Sequence, residues 1–197
     1  EANIHNLGLA QGKIMTDASN NIGSIVGVHR GRIQECFNMV QIVAQKGDNI
    51  GGLVGTNYGS IRYAYNTGII TDGNNHVGGL VGYNHASAVI DNCYNMGYCK
   101  GSDHVGALFG KNDAPEEQLT RMYATGYGAN DPILTDNTKY AIENSDIFRR
   151  HTSPFYENPA VKWGDGYHPQ LLCFKDHPAS WLSTFAIGLD AENRPIE

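Results

Sequence analysis

Short apolar runs separated by polar turns occupy the first two thirds of the chain. Val, Ile, Leu and aromatic residues stand in runs of four to six, with Gly, Asn or Asp close by. Runs of this length, rich in β-branched and aromatic residues, are typical of strands rather than helices. The small polar residues mark the turns between them. The pattern therefore predicts many short strands joined by tight turns.

Two apolar motifs recur in step along this region. The first places glycines around a Leu or Ile and occurs at residues 22–27, 50–55, 77–82 and 105–110. Its last glycines are 28, 27 and 28 residues apart. The second motif follows each copy after five to eight residues, at residues 33–38, 61–66, 90–95 and, degraded, 119–124. Two motifs in phase indicate one repeat of about 28 residues.

A repeat this short cannot enclose a core by itself, so neighbouring copies must stack. A coil of this length has a contour of about 90 Å, enough for two or three strands and their corners. Strands of successive coils then pair in parallel about 4.8 Å apart. We predict an all-β fold, a right-handed parallel β-solenoid of about four coils that start near residues 22, 50, 77 and 105. Residues 4–7 resemble the second motif, so residues 1–20 are interpreted as the tail of an earlier coil.

Equivalent residues of successive coils are expected to stack in ladders along the axis. The predicted ladders are aliphatic (Ile25, Leu53, Leu80, Leu108), small or soft (Cys36, Ala64, Cys93, Met122), aromatic (Phe37, Tyr65, Tyr94, Tyr123) and of asparagine (Asn38, Asn66, Asn95, and separately Asn57, Asn84, Asn112). The recurring glycines are expected at corners that need a positive φ or a close approach of two backbones. Whether Leu80 or Val81 faces the interior stays open, because alternation sends neighbours to opposite sides.

The rhythm stops after Gly126, and residues 127–197 have a different composition. They contain six of the seven prolines, both tryptophans and a short helix candidate at about Asn144–Arg150. The end of a solenoid exposes unpaired strand edges and an open core, which must be covered. We therefore predict two regions, a solenoid at 1–126 and a less regular C-terminal cap at 127–197. The expected plug residues of the cap are Phe148, Phe155, Trp163 and Leu171.

Residues 77–84 together with 90–97 resemble the GLUG repeat family, and the resemblance extends over about residues 20–126. The first copy departs from the pattern at Ser24 and His29 and the last at Ala107 and Ala124. Such repeats are found in large secreted or surface proteins of bacteria, including adhesins of the filamentous-haemagglutinin kind and proteins that carry immunoglobulin-A-specific metallopeptidases. The resemblance implies an extracellular or cell-surface location and no catalytic residue in the repeat. It also implies flanking domains in the same parent chain, and a host or cell-surface protein or a glycan as partner.

Composition and charge narrow the function classes. Hydrophobic residues make up 41% of the chain and glycines number 24, which argues for an ordered fold with many turns. The net charge of −6 argues against nucleic acid as a partner, since phosphate binding needs a basic stripe. No apolar run approaches the roughly 18 residues of a membrane helix. Because the chain starts inside the pattern without an initiator Met, we expect it to be part of a longer protein.

The cysteines and histidines are interpreted as structural. Cys36 and Cys93 share a ladder but lie two coils apart, about 9.6 Å, which exceeds the roughly 7 Å limit for a disulfide. Cys99 takes the apolar position of Ile42 and Ile70 in the other coils. The weak metal candidates are His76 and His104, which are in equivalent positions with Asp72 and Asp103 nearby. A polar corner is the favoured interpretation, since Asn21 and Asn49 hold the same position, and neither a metal nor a cofactor is predicted.

Catalytic motifs are missing from the sequence, and we predict that the chain is not an enzyme. A polysaccharide-cleaving site would have to use Asp91 with Asp72 or Asp103, whereas solvated acids explain these residues as well. Tyr156, Trp163 and Tyr167, near Phe155, could form a sugar-stacking platform or only cap the core. The predicted function is a structural or adhesive repeat module that serves as a stalk or interaction surface. The alternative is a carbohydrate-binding or polysaccharide-processing β-helix.

Overall fold

The computed structural model describes residues 2–124, 155–157 and 169–174. Within these residues the secondary structure consists of β-strands and two short 3-10 helices, Glu116–Gln118 and Leu172–Phe174. The strands are β1 (Asn3–His5), β2 (Gly8–Leu9), β3 (Lys13–Asp17), β4 (Ile22–Gly23), β5 (Val26–His29), β6 (Arg32–Asn38), β7 (Gln41–Gln45), β8 (Asp48–Gly51), β9 (Val54–Asn57), β10 (Ser60–Asn66), β11 (Ile70–Gly78), β12 (Val81–Asn84), β13 (Val89–Asn95), β14 (Cys99–Gly106), β15 (Phe109–Asn112), β16 (Leu119–Ala124), β17 (Phe155–Glu157) and β18 (Pro169–Leu171).

Strands β1 to β16 form three parallel sheets that the chain visits in rotation. Sheet A contains β1, β2, β6, β10, β13 and β16; sheet B contains β3, β4, β7, β8, β11 and β14; sheet C contains β5, β9, β12 and β15. Every pairing within these sheets is parallel and joins one coil to the next, as between β10 and β13. The prediction of an all-β parallel solenoid of about four coils is confirmed, and its right-handedness stays a prediction. Strands β17 and β18 pair with each other in an antiparallel manner.

The interior contains the predicted aliphatic and small-residue ladders. Leu53, Leu80 and Leu108 are fully buried in one cluster, against which the half-buried Ile25 packs at the first coil. Cys36, Ala64, Cys93 and Met122 lie opposite one another in sheet A and belong to the same cluster. Leu80 and Val81 both face inward, because Leu80 lies on the bend that precedes β12 rather than in the strand. Strict alternation does not apply across that corner.

The predicted aromatic ladder is confirmed, and it lies on the outer side of sheet A. The rings of Phe37 and Tyr65 stack with centroids 5.2 Å apart, and those of Tyr65 and Tyr94 stack at 4.8 Å. Because neighbouring residues of a strand point to opposite sides, Tyr94 faces away from the interior that Cys93 faces. Tyr94 belongs to a separate buried cluster with Tyr123. The two sides of the sheet are thus both apolar along this segment.

Leu171 covers part of this outer aromatic ladder. Its side chain is fully buried in the aromatic cluster, and the Phe174 ring meets the Phe37 ring edge-on with centroids 4.9 Å apart. We predicted Leu171 as a plug of the solenoid core, but it packs in the outer aromatic cluster rather than in the interior cluster, because the aromatic side of sheet A is itself apolar. The predicted helix at residues 144–150 and the plug residues Phe148 and Trp163 lie outside the described residues, as does the Phe155 side chain. The domain boundary near residue 126 stays a prediction.

The asparagine ladder at the corner between sheets A and B is confirmed in detail. Asn38 Nδ2 donates to Asn66 Oδ1 at 2.7 Å, and Asn66 Nδ2 donates to Asn95 Oδ1 at 2.8 Å. Each side chain also bonds its own corner; for Asn66, Oδ1 accepts from Gly68 N and Nδ2 donates to Gly68 O, both at 3.0 Å. The second ladder has the same form, with Asn57 Nδ2 donating to Asn84 Oδ1 at 3.0 Å. These amides are buried with their hydrogen bonds satisfied, as burial of polar groups requires.

The recurring glycines allow close backbone approach, whereas other residue types hold most of the left-handed backbone positions. A Cβ at Gly82 would collide with the backbone of Asn49 in the preceding coil. Among the described glycines, only Gly12 has a positive φ. The positive φ values fall instead in columns of non-glycine residues, the longest being Asn6, Glu35, Tyr63, Asn92 and Arg121. Of the two explanations offered for the glycines, close approach therefore accounts for most of them.

Replacing Asn66 with Ala should destabilise the solenoid strongly. The change leaves Asn38 Nδ2, Asn95 Oδ1 and the Gly68 backbone groups short of partners in a buried site. Each buried group left unsatisfied costs about 1–3 kcal/mol, so we expect a loss of about 3–5 kcal/mol in the free energy of unfolding. Urea titration followed by circular dichroism measures it. The control is Asn74→Ala, which removes an exposed bond to Asp48 and should cost under about 0.5 kcal/mol; equal losses would contradict a buried-ladder role.

Candidate interaction surface

The outer side of sheet C and its adjoining corner carry a cluster of aromatic and charged side chains. Val28, Thr56, Tyr83 and Lys111 form one outward column of sheet C. Two positions after each of these residues, just beyond the end of the strand, the corner carries Arg30, Tyr58, His85 and Asp113. We call Arg30, Tyr58, Tyr83, His85, Lys111 and Asp113 the sheet C face. Because each residue belongs to a stacked coil, the repeat itself places these side chains next to one another.

Tyr83, Lys111 and Asp113 form a bonded group at the last coils. Tyr83 Oη donates to Asp113 Oδ2 at 2.6 Å, and Lys111 Nζ lies 3.5 Å from the same oxygen. The ammonium group also sits 4.7 Å from the Tyr83 ring centroid, in cation–π geometry. The hydrogen bond to Asp113, followed by burial, raises the pKa of Tyr83 to about 12. The same bond lowers the pKa of Asp113, so this group stays a neutral phenol and a carboxylate at neutral pH.

A second column stacks a cation on aromatic rings. The Arg30 guanidinium lies 4.6 Å from the Tyr58 ring centroid, and the His85 ring lies 4.6 Å from it on the next coil. The Tyr83 and His85 rings are 6.1 Å apart, which joins the two columns. Arg30 is exposed and Tyr58 and His85 are half-buried, so the column presents ring edges and polar atoms to solvent. Tyrosine and arginine are among the residues enriched at protein interaction surfaces.

His76 and His104 are brought together at the neighbouring corner of sheets B and C. Their ring centroids are 5.3 Å apart, and they continue the column of Asn21 and Asn49 with the same positive φ. His76 Nδ1 lies 2.9 Å from Asn49 Oδ1, and His104 Nδ1 lies 2.9 Å from Asn75 Oδ1. Burial, and then the neighbouring His104, lowers the pKa of His76. These bonds give the pair the polar-corner role that the asparagines have in earlier coils.

In the described part of the chain, His76 and His104 have no third side chain beside them to complete a metal site. Among residues 2–124, 155–157 and 169–174, no three His, Cys, Asp or Glu side chains are grouped as a metal site requires. Asp103 Oδ2 lies 3.1 Å from His104 Nδ1, whereas Asp48 and Asp103 are the carboxylates whose charges act on His76. Asp72, which the sequence suggested as a ligand, is exposed on β11. The expectation that no metal or cofactor binds stays a prediction.

Comparison with known families identifies the repeat. The family model described as the GLUG motif matches residues 47–71 and 73–97, which span the second and third coils. The chain carries GLUG repeats. Neither a search of curated proteins nor a search of solved structures finds a match to the chain.

The matched GLUG range is narrower than the span of about residues 20–126 that the sequence pattern suggested. The unmatched copies are nevertheless in register, since Val26 pairs with Val54 and Tyr94 pairs with Tyr123. They carry the departures noted in the sequence, such as Ala124 opposite Asn95. The GLUG motif is a non-catalytic repeat unit, and in the two matched coils its recurring residues form the corners and ladders described above.

The carboxylates considered for polysaccharide cleavage are not brought together. Asp91 lies on β13 in sheet A, whereas Asp72 and Asp103 lie in sheet B. Asp91 accepts from Arg121 Nη2, with its two carboxylate oxygens at 2.6 and 2.7 Å, and from Thr120 Oγ1 at 2.6 Å. Glycoside hydrolysis needs two carboxyl groups that flank one bond. Asp91 therefore serves as a salt-bridge partner between the third and fourth coils.

The buried cysteines of the GLUG coils are free, as their spacing predicts. Ala64 separates Cys36 from Cys93 in their ladder, and Cys99 lies opposite Ile70 in sheet B. Burial raises the pKa of the Cys93 and Cys99 thiols to about 12, so both stay protonated. The fourth, Cys173, is free and exposed.

The structure does not describe the side chains of the sugar-stacking candidates, so that prediction stays untested. Trp163 and Tyr167 lie outside the described residues, and of Tyr156 only its place in strand β17 is described. Sequence reasoning missed the sheet C face. A signal was present, because Tyr58 and His85 directly follow the asparagines of the second ladder, at a corner where side chains must point outward. No helix among the described residues is long and apolar enough to cross a membrane.

His29 should make the stability of the first coil pH-dependent. It is buried opposite Asn57, with Nε2 3.3 Å from Ser60 O, and burial lowers its pKa below the ordinary 6.5. The unfolded chain therefore takes up this proton first, so the stabilisation is complete above pH 6.5 and declines as the pH falls below it. The loss is at most about 1.4 kcal/mol per pH unit.

The variant His29→Asn isolates this effect by restoring the amide of the other coils. Urea titrations between about pH 7.5 and pH 4.5, roughly the range in which a histidine titrates, should show less acid destabilisation than in the parent chain. His5→Asn is the matched control, since His5 is exposed on β1. An unchanged pH profile for His29→Asn would show that the imidazole is accommodated equally in both protonation states.

Proposed function

We propose that the chain is a structural and adhesive repeat module of a bacterial extracellular or cell-surface protein. It acts as a stalk segment that presents the sheet C face to a host or cell-surface protein or a glycan, and it works beside flanking domains of the same parent chain. The GLUG match and the resemblance to repeats of secreted proteins support this location, which antibody labelling of intact cells would test.

The observation that carries the proposal is the unbroken stacking of the coils. Inner ladders, buried amides and the outer aromatic column run through successive coils with matched registers. Repeat arrays of this kind are stabilised by contacts between nearest neighbours, which gives length without a closed globular core. The catalytic alternative lacks support of this kind, because Asp91 is paired with Arg121 and lies in a different sheet from Asp72 and Asp103.

Duplicating one coil should lengthen the module without disrupting it. A second copy of residues 78–105, inserted after Val105, restores every register because Val77 and Val105 are partners. The variant should fold, should be at least as stable in urea, and should be longer by about 4.8 Å in small-angle scattering.

A half-coil insertion is the control for that experiment. Duplicating residues 92–105 alone, again after Val105, places sheet A residues where sheet C residues belong, so every later ladder loses its partners. This variant should unfold or aggregate. If the full-coil variant fails in the same way, the coils are not interchangeable units and the stalk proposal fails with it.

The sheet C face should carry the adhesive part of the function. Labelled chain is applied to immobilised glycans and to immobilised host surface proteins, and the double variant Tyr58→Ser with Tyr83→Ser is compared. Loss of two interfacial aromatics should weaken retention at least about tenfold, equal to about 1.4 kcal/mol. Arg62→Ser, an exposed change in sheet A, is the control. Retention that is absent, or equal in both variants, would remove the adhesive role.

A further inference from the structure

The sheet C face continues onto the corner that holds His76 and His104. The His76 and Tyr83 ring centroids are 6.3 Å apart, and those of Tyr83 and His85 are 6.1 Å apart. The His104 ring extends this row, since its centroid lies 5.3 Å from that of His76. Three histidines, each at least partly exposed, therefore share one outward surface. Because this surface runs along the side of the coils, coils stacked at either end would leave it open.

The charged groups that share this surface are three carboxylates and two cations, namely Asp48, Asp103, Asp113, Arg30 and Lys111. The rings of Tyr58 and Tyr83, which pack against His85, add no charge. Histidines take up protons between about pH 7 and pH 5, so acidification adds up to three positive charges. The carboxylates outnumber the cations while the histidines are neutral, and the cations outnumber the carboxylates once the histidines are protonated. Acidification thus turns the surface from net negative to net positive.

The groups on this surface suit a sugar better than the core of a protein interface. Protein interfaces are centred on apolar anchors in a desolvated patch. Of the exposed large apolar side chains among the described residues, only Val28 lies in sheet C. Aromatic rings stack instead on the apolar CH faces of sugar rings, and Arg and protonated His donate to sugar carboxylates. A linear polysaccharide advances by roughly 5 Å per sugar, about the spacing of parallel coils, so neighbouring sugars would meet equivalent positions of neighbouring coils.

We propose that this surface binds an acidic polysaccharide through Arg30 and the three histidines, and that acidification strengthens the binding. The proposal rests on the adhesive function proposed for the sheet C face and specifies its ligand and its regulation. Arg30 lies over the Tyr58 ring rather than on a carboxylate, and it supplies the cationic contact at neutral pH. Sugar carboxylates, with pKa values of about 4 or below, stay ionised throughout, so the change comes from the histidines. Burial lowers the pKa of His76, so this residue is charged only towards the acidic end of the range.

Retention of the labelled full chain on immobilised polygalacturonate tests the ligand class. The fully methyl-esterified polymer is the matched control, because it keeps the sugar rings and removes their charge. Retention on polygalacturonate should be at least about tenfold stronger at about pH 5.5 than at about pH 7.5, because each exposed ion pair contributes up to about fivefold. Circular dichroism verifies that the chain stays folded under both conditions. Equal retention on the esterified polymer, or on immobilised polyglutamate, would overturn the proposed ligand class.

Three substitutions remove the titrating groups and keep residues that the repeat already accommodates. His76→Asn and His104→Asn restore the residue that Asn21 and Asn49 carry in the same column with the same positive φ. His85→Tyr introduces the residue that the preceding coil carries at position 58.

The triple variant should lose the pH dependence and keep the weaker retention that the parent chain shows at the higher pH. His5→Asn, an exposed change on β1, is the control and should respond to pH like the parent chain. A pH response that the triple variant preserves would overturn the regulatory role of the three histidines.

The double variant Tyr58→Ser with Tyr83→Ser separates this proposal from the adhesive function on which it rests. A neutral glycan or a host protein that the parent chain retains and this variant loses would leave the adhesive function standing. Absence of retention on polygalacturonate under both conditions would, in that case, overturn the acidic ligand alone. Retention on polygalacturonate that the double variant keeps unchanged would place the ligand outside the sheet C face and overturn the proposal.

Discussion

The structure depends on the hydrogen bonds that buried asparagines make from coil to coil. Each of these amides bonds both the next asparagine and its own corner, so the position of one coil over another is fixed by partners that water cannot replace. A shift of one residue would leave amides unpaired in the core and would turn the strand residues to the opposite side of the sheet. The aliphatic, thiol and aromatic columns all follow from that fixed register.

The sequence predicted the period, the coils and the membership of each ladder, because in-phase motifs fix which residues are equivalent. It did not predict which side each residue faces. Asn92, with φ of 54°, interrupts the alternation between Asp91 and Cys93, and the bend at Leu80 does the same beside Val81. Left-handed residues inside strands, such as Glu35 in β6 and Arg121 in β16, carry no glycine or turn signal. Such conformations are specified by the neighbouring coil rather than by the local residue type.

The candidate surface was harder to predict than the fold. The aromatics chosen from sequence lie in the proline-rich region, whereas the sheet C face is assembled from single residues of successive coils, about 28 positions apart in the chain. A polar or aromatic residue that occurs once per repeat looks like ordinary variation until the register is known. Stacking then places Arg30 beside Tyr58, and Tyr83 beside Lys111. Likewise Asp91, which the sequence alone offers as a catalytic acid, forms an ion pair with Arg121 in the folded chain.

The contact between Phe174 and Phe37 has a mechanical consequence. Phe37 lies on β6, the strand against which β1 also packs, so residues near both extremes of the described chain reach the same coil. Tension applied between residue 2 and residue 174 would load adjoining strands sideways instead of stretching the stack end to end. Neighbouring strands near the first coil would then separate first, by shear or peeling. The later coils would carry no tension until the packing of Leu171 is lost.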